Sequence, residues 1–94
     1  MTSVTDFIRA RLDEREAGTR MALRTEDYGT SERDLDLLAA HRRLLEIHAP
    51  YYQPNGPTRC TRCTPSEYLW PCETVLVLAS IDSEHEDYRE EWQL

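Results

Sequence analysis

Lysine is missing from this 94-residue sequence: all eleven basic side chains are Arg, a usage that fits the codon bias of a GC-rich genome. Strong hydrophobes are scarce as well. Leu, Ile, Val and Phe number only 18, with a single Phe, and the formal net charge is −7. That pairing sits at the edge of the compositions that stay disordered. A chain of this length buries only about 60–65% of its unfolded surface. Either part of it is loose, or something besides burial staples it. The length points to one domain. No apolar run approaches the roughly 18 residues of a membrane span. Residues 1–11 carry charges where a signal peptide needs an apolar core, which points to a cytoplasmic protein. No GxGxxG, Walker loop, GxSxG or HExxH occurs, so the catalytic repertoire of short motifs is absent.

The charge is unevenly spread. Residues 82–94 hold six acids and one Arg, whereas residues 1–81 are nearly neutral. The basic footprint of a nucleic-acid binder is therefore lacking overall. An Arg-bearing face of Arg9, Arg15, Arg20, Arg42 and Arg43 keeps nucleic-acid binding or transcriptional regulation as an alternative. The acidic pairs near the terminus read as a solvated face. Within it, Ile81, His85, Tyr88 and Trp92 follow spacings of four, three and four, which suggests a short helix or turn pinning aromatics onto the body.

The first segment reads as a helix. Ser3 followed by Asp6 is an N-cap with an acid at the third helical position. Val4, Phe7, Ile8 and Leu12 follow at helical spacing. Arg9 with Asp13, and Glu16 with Arg20, are i,i+4 opposite-charge pairs. Gly18 costs about 1 kcal/mol relative to Ala, so fraying or a bend is expected before Arg24. Gly29 marks a connector, and Ser31 with Asp34 repeats the N-cap signal. Residues 32–49 are the clearest helix. Leu38, His41, Leu45 and His48 line one stripe with Leu37 and Leu44 beside it, and Pro50 stops it. Residues 51–59 read as a turn-rich loop without periodicity. Pro71 suits the first position of a third helix over residues 72–80. Val75-Leu76-Val77-Leu78 fits a buried strand equally well, because periodicity cannot separate the two.

The chemistry concentrates in Cys60-Thr61-Arg62-Cys63 and Cys72. Zinc takes four tetrahedral N or S ligands, and a C-x-x-C turn presents two thiolates to one ion. Cys72 supplies a third. Three cysteines cannot pair completely, which disfavours a disulfide framework, and a redox C-x-x-C would expect a βαβ context that is not visible. Among the histidines, His41 lies seven residues before His48, roughly 10.5 Å away along the helix, so one ion cannot take both. His48, twelve residues before Cys60 across a loop able to fold back, is the favoured fourth ligand; His85 is the alternative. A structural Zn²⁺ in a His48, Cys60, Cys63, Cys72 shell is the resulting expectation. The deaminase pattern of His-x-Glu with Pro-Cys-x-x-Cys is absent, so a small metal-dependent enzyme is the weakest reading. Arg59 and Arg62 flank the thiolates and suit an offset of the shell's negative charge.

Several stretches taken together resemble a family of small actinobacterial and actinophage proteins of unknown function. They are the opening Phe7-Ile8-Arg9-Ala10-Arg11-Leu12-Asp13-Glu14, the helix end His41-Arg42-Arg43-Leu44-Leu45-Glu46-Ile47-His48-Ala49-Pro50, the C-x-x-C, Trp70-Pro71-Cys72-Glu73-Thr74, and the close His85-x-Asp87-Tyr88-Arg89-x-Glu91-Trp92. The resemblance runs nearly end to end. It implies a zinc-bound domain with His48, Cys60, Cys63 and Cys72 as ligands, and it implies no activity.

The sequence thus predicts a mainly α domain. Residues 1–49 form an antiparallel two-helix hairpin packed through Phe7, Ile8, Leu12, Leu38 and Leu45. Residues 50–81 form a zinc-tied loop with a short third helix or strand, and residues 82–94 an acidic tail. The expected role is non-enzymatic protein–protein interaction, possible for a phage-encoded modulator of a host protein, with Tyr88 and Trp92 of the tail as contacts. Homodimerisation through Met21, Leu23, Tyr28 and Leu35 is a further expectation, since so thin a core gains from a partner surface.

Overall fold

A computed structural model describes residues 3–25, 32–52, 54, 56–61 and 70–93. The architecture is mainly helical: two long helices, a two-stranded antiparallel sheet, a short third helix and a terminal 3₁₀ turn.

Helix α1 spans Val4–Arg24. It starts where the sequence predicts, because the Ser3 hydroxyl accepts a hydrogen bond from the Asp6 amide at 3.1 Å and satisfies one of the donors that every helix start leaves over. Asp6 in the first turn and Arg24 in the last complement the helix dipole. All four residues of its predicted stripe, Val4, Phe7, Ile8 and Leu12, are buried. The helix runs on past Gly18, and a Cβ there would meet nothing within 4 Å. Asp13 reaches Arg42 of the second helix at 2.8 Å rather than Arg9, whereas the predicted Glu16–Arg20 pair forms at 3.7 Å.

Helix α2 spans Glu32–Ile47 and buries Leu38 and Leu45, two turns apart. Its expected cap, Ser31, lies outside the described residues. The helix stops two residues earlier than predicted. The His48 amide makes a last bond to the Leu44 carbonyl at 3.0 Å, and the chain is extended from Pro50. The two helices run antiparallel: the Arg9 and Asp13 end of α1 lies beside Arg42 and Glu46, and its Arg20 and Arg24 end beside Glu32 and Asp36.

The loop predicted for residues 51–59 has ordered edges. Strand β1 (Pro50–Tyr51) pairs antiparallel with β2 (Arg59–Cys60) in the register Pro50 to Cys60 and Tyr51 to Arg59. Helix α3 spans Glu73–Ser80 and buries Val75, Leu78 and Ala79. The Val-Leu-Val-Leu run is therefore helical, its i, i+3, i+4 face overriding the strand preference of two valines. Pro71 is not the first helical residue; Cys72 is the N-cap and Pro71 precedes it, after a cis peptide bond from Trp70.

One core cluster joins α1, α2, α3, Cys60, Cys72 and Trp92. Phe7 is its centre, with the Trp92 ring at 5.0 Å, His85 at 5.7 Å edge-on and Tyr88 at 6.0 Å. The acidic end thus docks through its aromatics, as their spacing suggested, while Glu84, Glu86, Asp87, Glu90 and Glu91 stay exposed. Trp92 is 5% exposed, Asp82 pairs with Arg15, and Asp87 lies 3.9 Å from Arg11. Ile81, expected to join the aromatics, is exposed instead. Among the described residues, no helix is long and apolar enough to cross a membrane.

Candidate metal centre

Three separate elements deliver three ligand-type side chains to one point. His48 directly follows the last residue of α2. The β1–β2 register turns the chain back so that Cys60 falls opposite Pro50, two residues beyond His48. Cys72 arrives as the N-cap of α3 and makes no side-chain bond to its own helix. Main-chain links hold these pieces in place. The Thr61 amide donates to the Ala49 carbonyl and the Trp70 amide to the Thr58 carbonyl, each at 3.0 Å. The Thr61 hydroxyl donates to the Ile47 carbonyl at 3.1 Å, satisfying one of the carbonyls that the end of α2 leaves over.

The resulting group is tight. One ligand atom from each of His48, Cys60 and Cys72 lies within 4.8 Å of the others. His48 Nδ1 stands 3.4 Å from Cys60 Sγ and 3.6 Å from Cys72 Sγ. Around a tetrahedral zinc with Zn–S of about 2.3 Å and Zn–N of about 2.0 Å, nitrogen and sulfur ligands sit about 3.5 Å apart. A single ring nitrogen offers one proton or one lone pair, so it cannot bond well to two thiols at once. A shared cation would fit both distances. Both cysteines are buried and His48 is half-buried, so an ion here would be shielded from water. Cys72 at a helix start also sits where the helix dipole favours a thiolate. The three side chains can hold a metal ion.

Of the four ligands predicted from the sequence, the structure brings together His48, Cys60 and Cys72. Cys63 lies outside the described residues, as does Arg62. His85 is not part of the group. It packs on Phe7, and Arg11 Nη1 contacts its Nδ1 at 2.8 Å. It is a half-buried packing residue. His41 is half-buried on α2 and lines a groove with Leu37 and Ile81.

Two residues with structural roles escaped the sequence reading. Thr61, inside the C-x-x-C, ties the ligand loop to α2, and no periodicity marks it. Arg11 is only 11% exposed, with its guanidinium 5.3 Å from the centre of the Phe7 ring and its Nε buried without a hydrogen-bond partner. Its signal was the i,i+4 spacing from Phe7, which places it on the apolar stripe. Compared with known proteins, the chain matches no family model, no curated protein and no solved structure.

Proposed function

We propose that this chain is a small non-enzymatic protein whose carboxyl half is stapled to its helical hairpin by a structural Zn²⁺, and that it acts by binding another protein. The observation that carries the reading is the convergence of His48, Cys60 and Cys72 within 4.8 Å. Two thiolates and an imidazole are a donor set suited to zinc. Cys63 is the proposed fourth ligand, which would close the shell and leave no position for a substrate or water, as structural sites require. The resemblance to the actinobacterial and actinophage family implies the same four ligands; the modulator role toward a host protein is part of the proposal by analogy.

The nucleic-acid alternative has less support. Of its expected Arg face, Arg15 pairs with Asp82, Arg20 with Glu16, Arg42 with Asp13 and Arg43 with Glu46. Those charges are offset within the protein. The docking of Tyr88 and Trp92 against Phe7 also moves the proposed interaction surface from the tail to the helices.

The test is metal counting on protein purified under reducing conditions without added chelator. One zinc per chain is expected, falling to well below half in Cys60→Ser, Cys72→Ser and Cys63→Ser. A helical protein that carries no metal, or whose zinc survives all three substitutions, would overturn the reading.

A further inference from the structure

Helix α2 presents a second apolar stripe, separate from the one it buries. Leu37 is 57% exposed and Leu44 38% exposed. They are seven residues apart, so they lie one above the other, with the small, exposed Ala40 between them. The stripe continues sideways onto α3. Leu44 shares a groove with Val77 and Thr74, and Leu37 shares one with Ile81, Gly18 and Ala22. The second groove exists because α3, eight residues and about 12 Å long, covers only part of a hairpin whose first helix is about 31 Å long. Beyond Ile81 the hairpin face lies open over a volume of about 470 Å³. A contiguous apolar row of this kind on a small protein marks a contact surface.

The charges beside the stripe select the occupant. Asp36 and Arg43 are also seven residues apart, and both are exposed on the same flank of α2, away from the core. The flank is thus acidic toward the helix start and basic toward its end. Such a pattern is complementary to itself when reversed. A two-fold axis through Ala39 and Ala40 lays Asp36 of one copy beside Arg43 of the partner subunit. The same axis sets Leu37 about 3 Å along the helix from Leu44 of the partner subunit, so the leucines stagger past one another, and it leaves alanines at the crossing point, where the helices must approach most closely. Arg43 already leans on Glu46 at 3.2 Å, but both side chains are more than 60% exposed and such pairs hold little energy.

We propose that a second copy of this chain docks on the Leu37–Ala40–Leu44 stripe of α2, forming an isologous antiparallel dimer fixed in register by Asp36 and Arg43. This goes beyond the metal-stapled reading and does not require the ion, since the contact rests on α2. The dimer seam differs from the one the sequence suggested. Of those residues Leu35 packs against the core, and Tyr28 lies outside the described residues.

Sedimentation of the full chain, with metal content measured in parallel, tests the proposal. Wild-type protein is expected at twice the 11.0 kDa chain mass. Leu37→Glu, at an exposed position that leaves the fold intact by circular dichroism, should weaken the dimer at least about tenfold. Asp36→Arg and Arg43→Asp should each weaken it too, because each sets like charges across the axis. An equimolar mixture of those two single variants should recover a mixed dimer, since the two reversals together restore opposite charges at both ends of the seam. A monomer at every concentration, or a dimer indifferent to Leu37→Glu and to the charge variants, would overturn the proposal whatever the zinc count.

Discussion

In α1, four apolar side chains at helical spacing enter the core. Among the described residues from 48 to 61, Cys60 alone is buried. The first region orders itself by repetition: each turn of helix brings the next hydrophobe to the same face, and Phe7 gathers Trp92, His85 and Tyr88 around it. The second region has two residues in each strand and little to bury. Its order depends on a few backbone bonds and on three ligand atoms that meet at one place. On the proposed reading, metal coordination orders the ligand segment while one apolar core joins the helices, and changes to each should have separable consequences.

The largest effect is expected from breaking the metal side. A Cys60→Ser, Cys72→Ser double variant should lose its metal and unfold its carboxyl half at 25 °C, because structural zinc supplies about 10 kcal/mol or more of apparent binding energy in small domains. Near-ultraviolet circular dichroism of Trp70 and Trp92 would report it; a spectrum matching wild type would show that the ion is dispensable. Next comes the burial side. Phe7→Ala should cost about 3–5 kcal/mol and lower the thermal midpoint of the whole chain, since Phe7 is 1% exposed and touches the tail as well as α1. If zinc content stays near one per chain in that variant, the two sources of order are separable as argued.

Two smaller changes sharpen the picture of α1. Ser3→Ala removes the side-chain acceptor of the Asp6 amide and should cost about 1 kcal/mol in chemical denaturation. Gly18→Ala should stabilise by up to about 1 kcal/mol, because the helix passes through this position and an added methyl meets nothing. A destabilising Gly18→Ala would mean that the open groove beside it is occupied in solution.

The same division explains what the sequence disclosed. The start, course and buried face of α1 were legible because a Ser-x-x-Asp cap and a 3.6-residue period are local signals, complete within a few turns. The mainly α fold and the grouping of His48 with Cys60 and Cys72 could be anticipated because ligand-type residues and their spacing are few. Docking of the tail was legible in part: the spacing of His85, Tyr88 and Trp92 anticipated aromatics held against the body, but not the partners of the acids. Six acids in residues 82–94 look solvated in isolation, and only the fold supplies Arg15 and Arg11 as partners for Asp82 and Asp87. The Val75–Leu78 run stayed ambiguous because four consecutive hydrophobes satisfy either period. Its helical state follows from Cys72 at the N-cap and from the face that Val75, Leu78 and Ala79 share, neither of which the run itself contains.

Amide hydrogen exchange of the zinc-loaded protein, before and after a strong chelator, measures the division most directly. The account predicts that amides of α3 lose most of their protection on chelation while those of α1 between Ile8 and Leu12 keep more of theirs. Unchanged protection across α3 in the metal-free chain would contradict it.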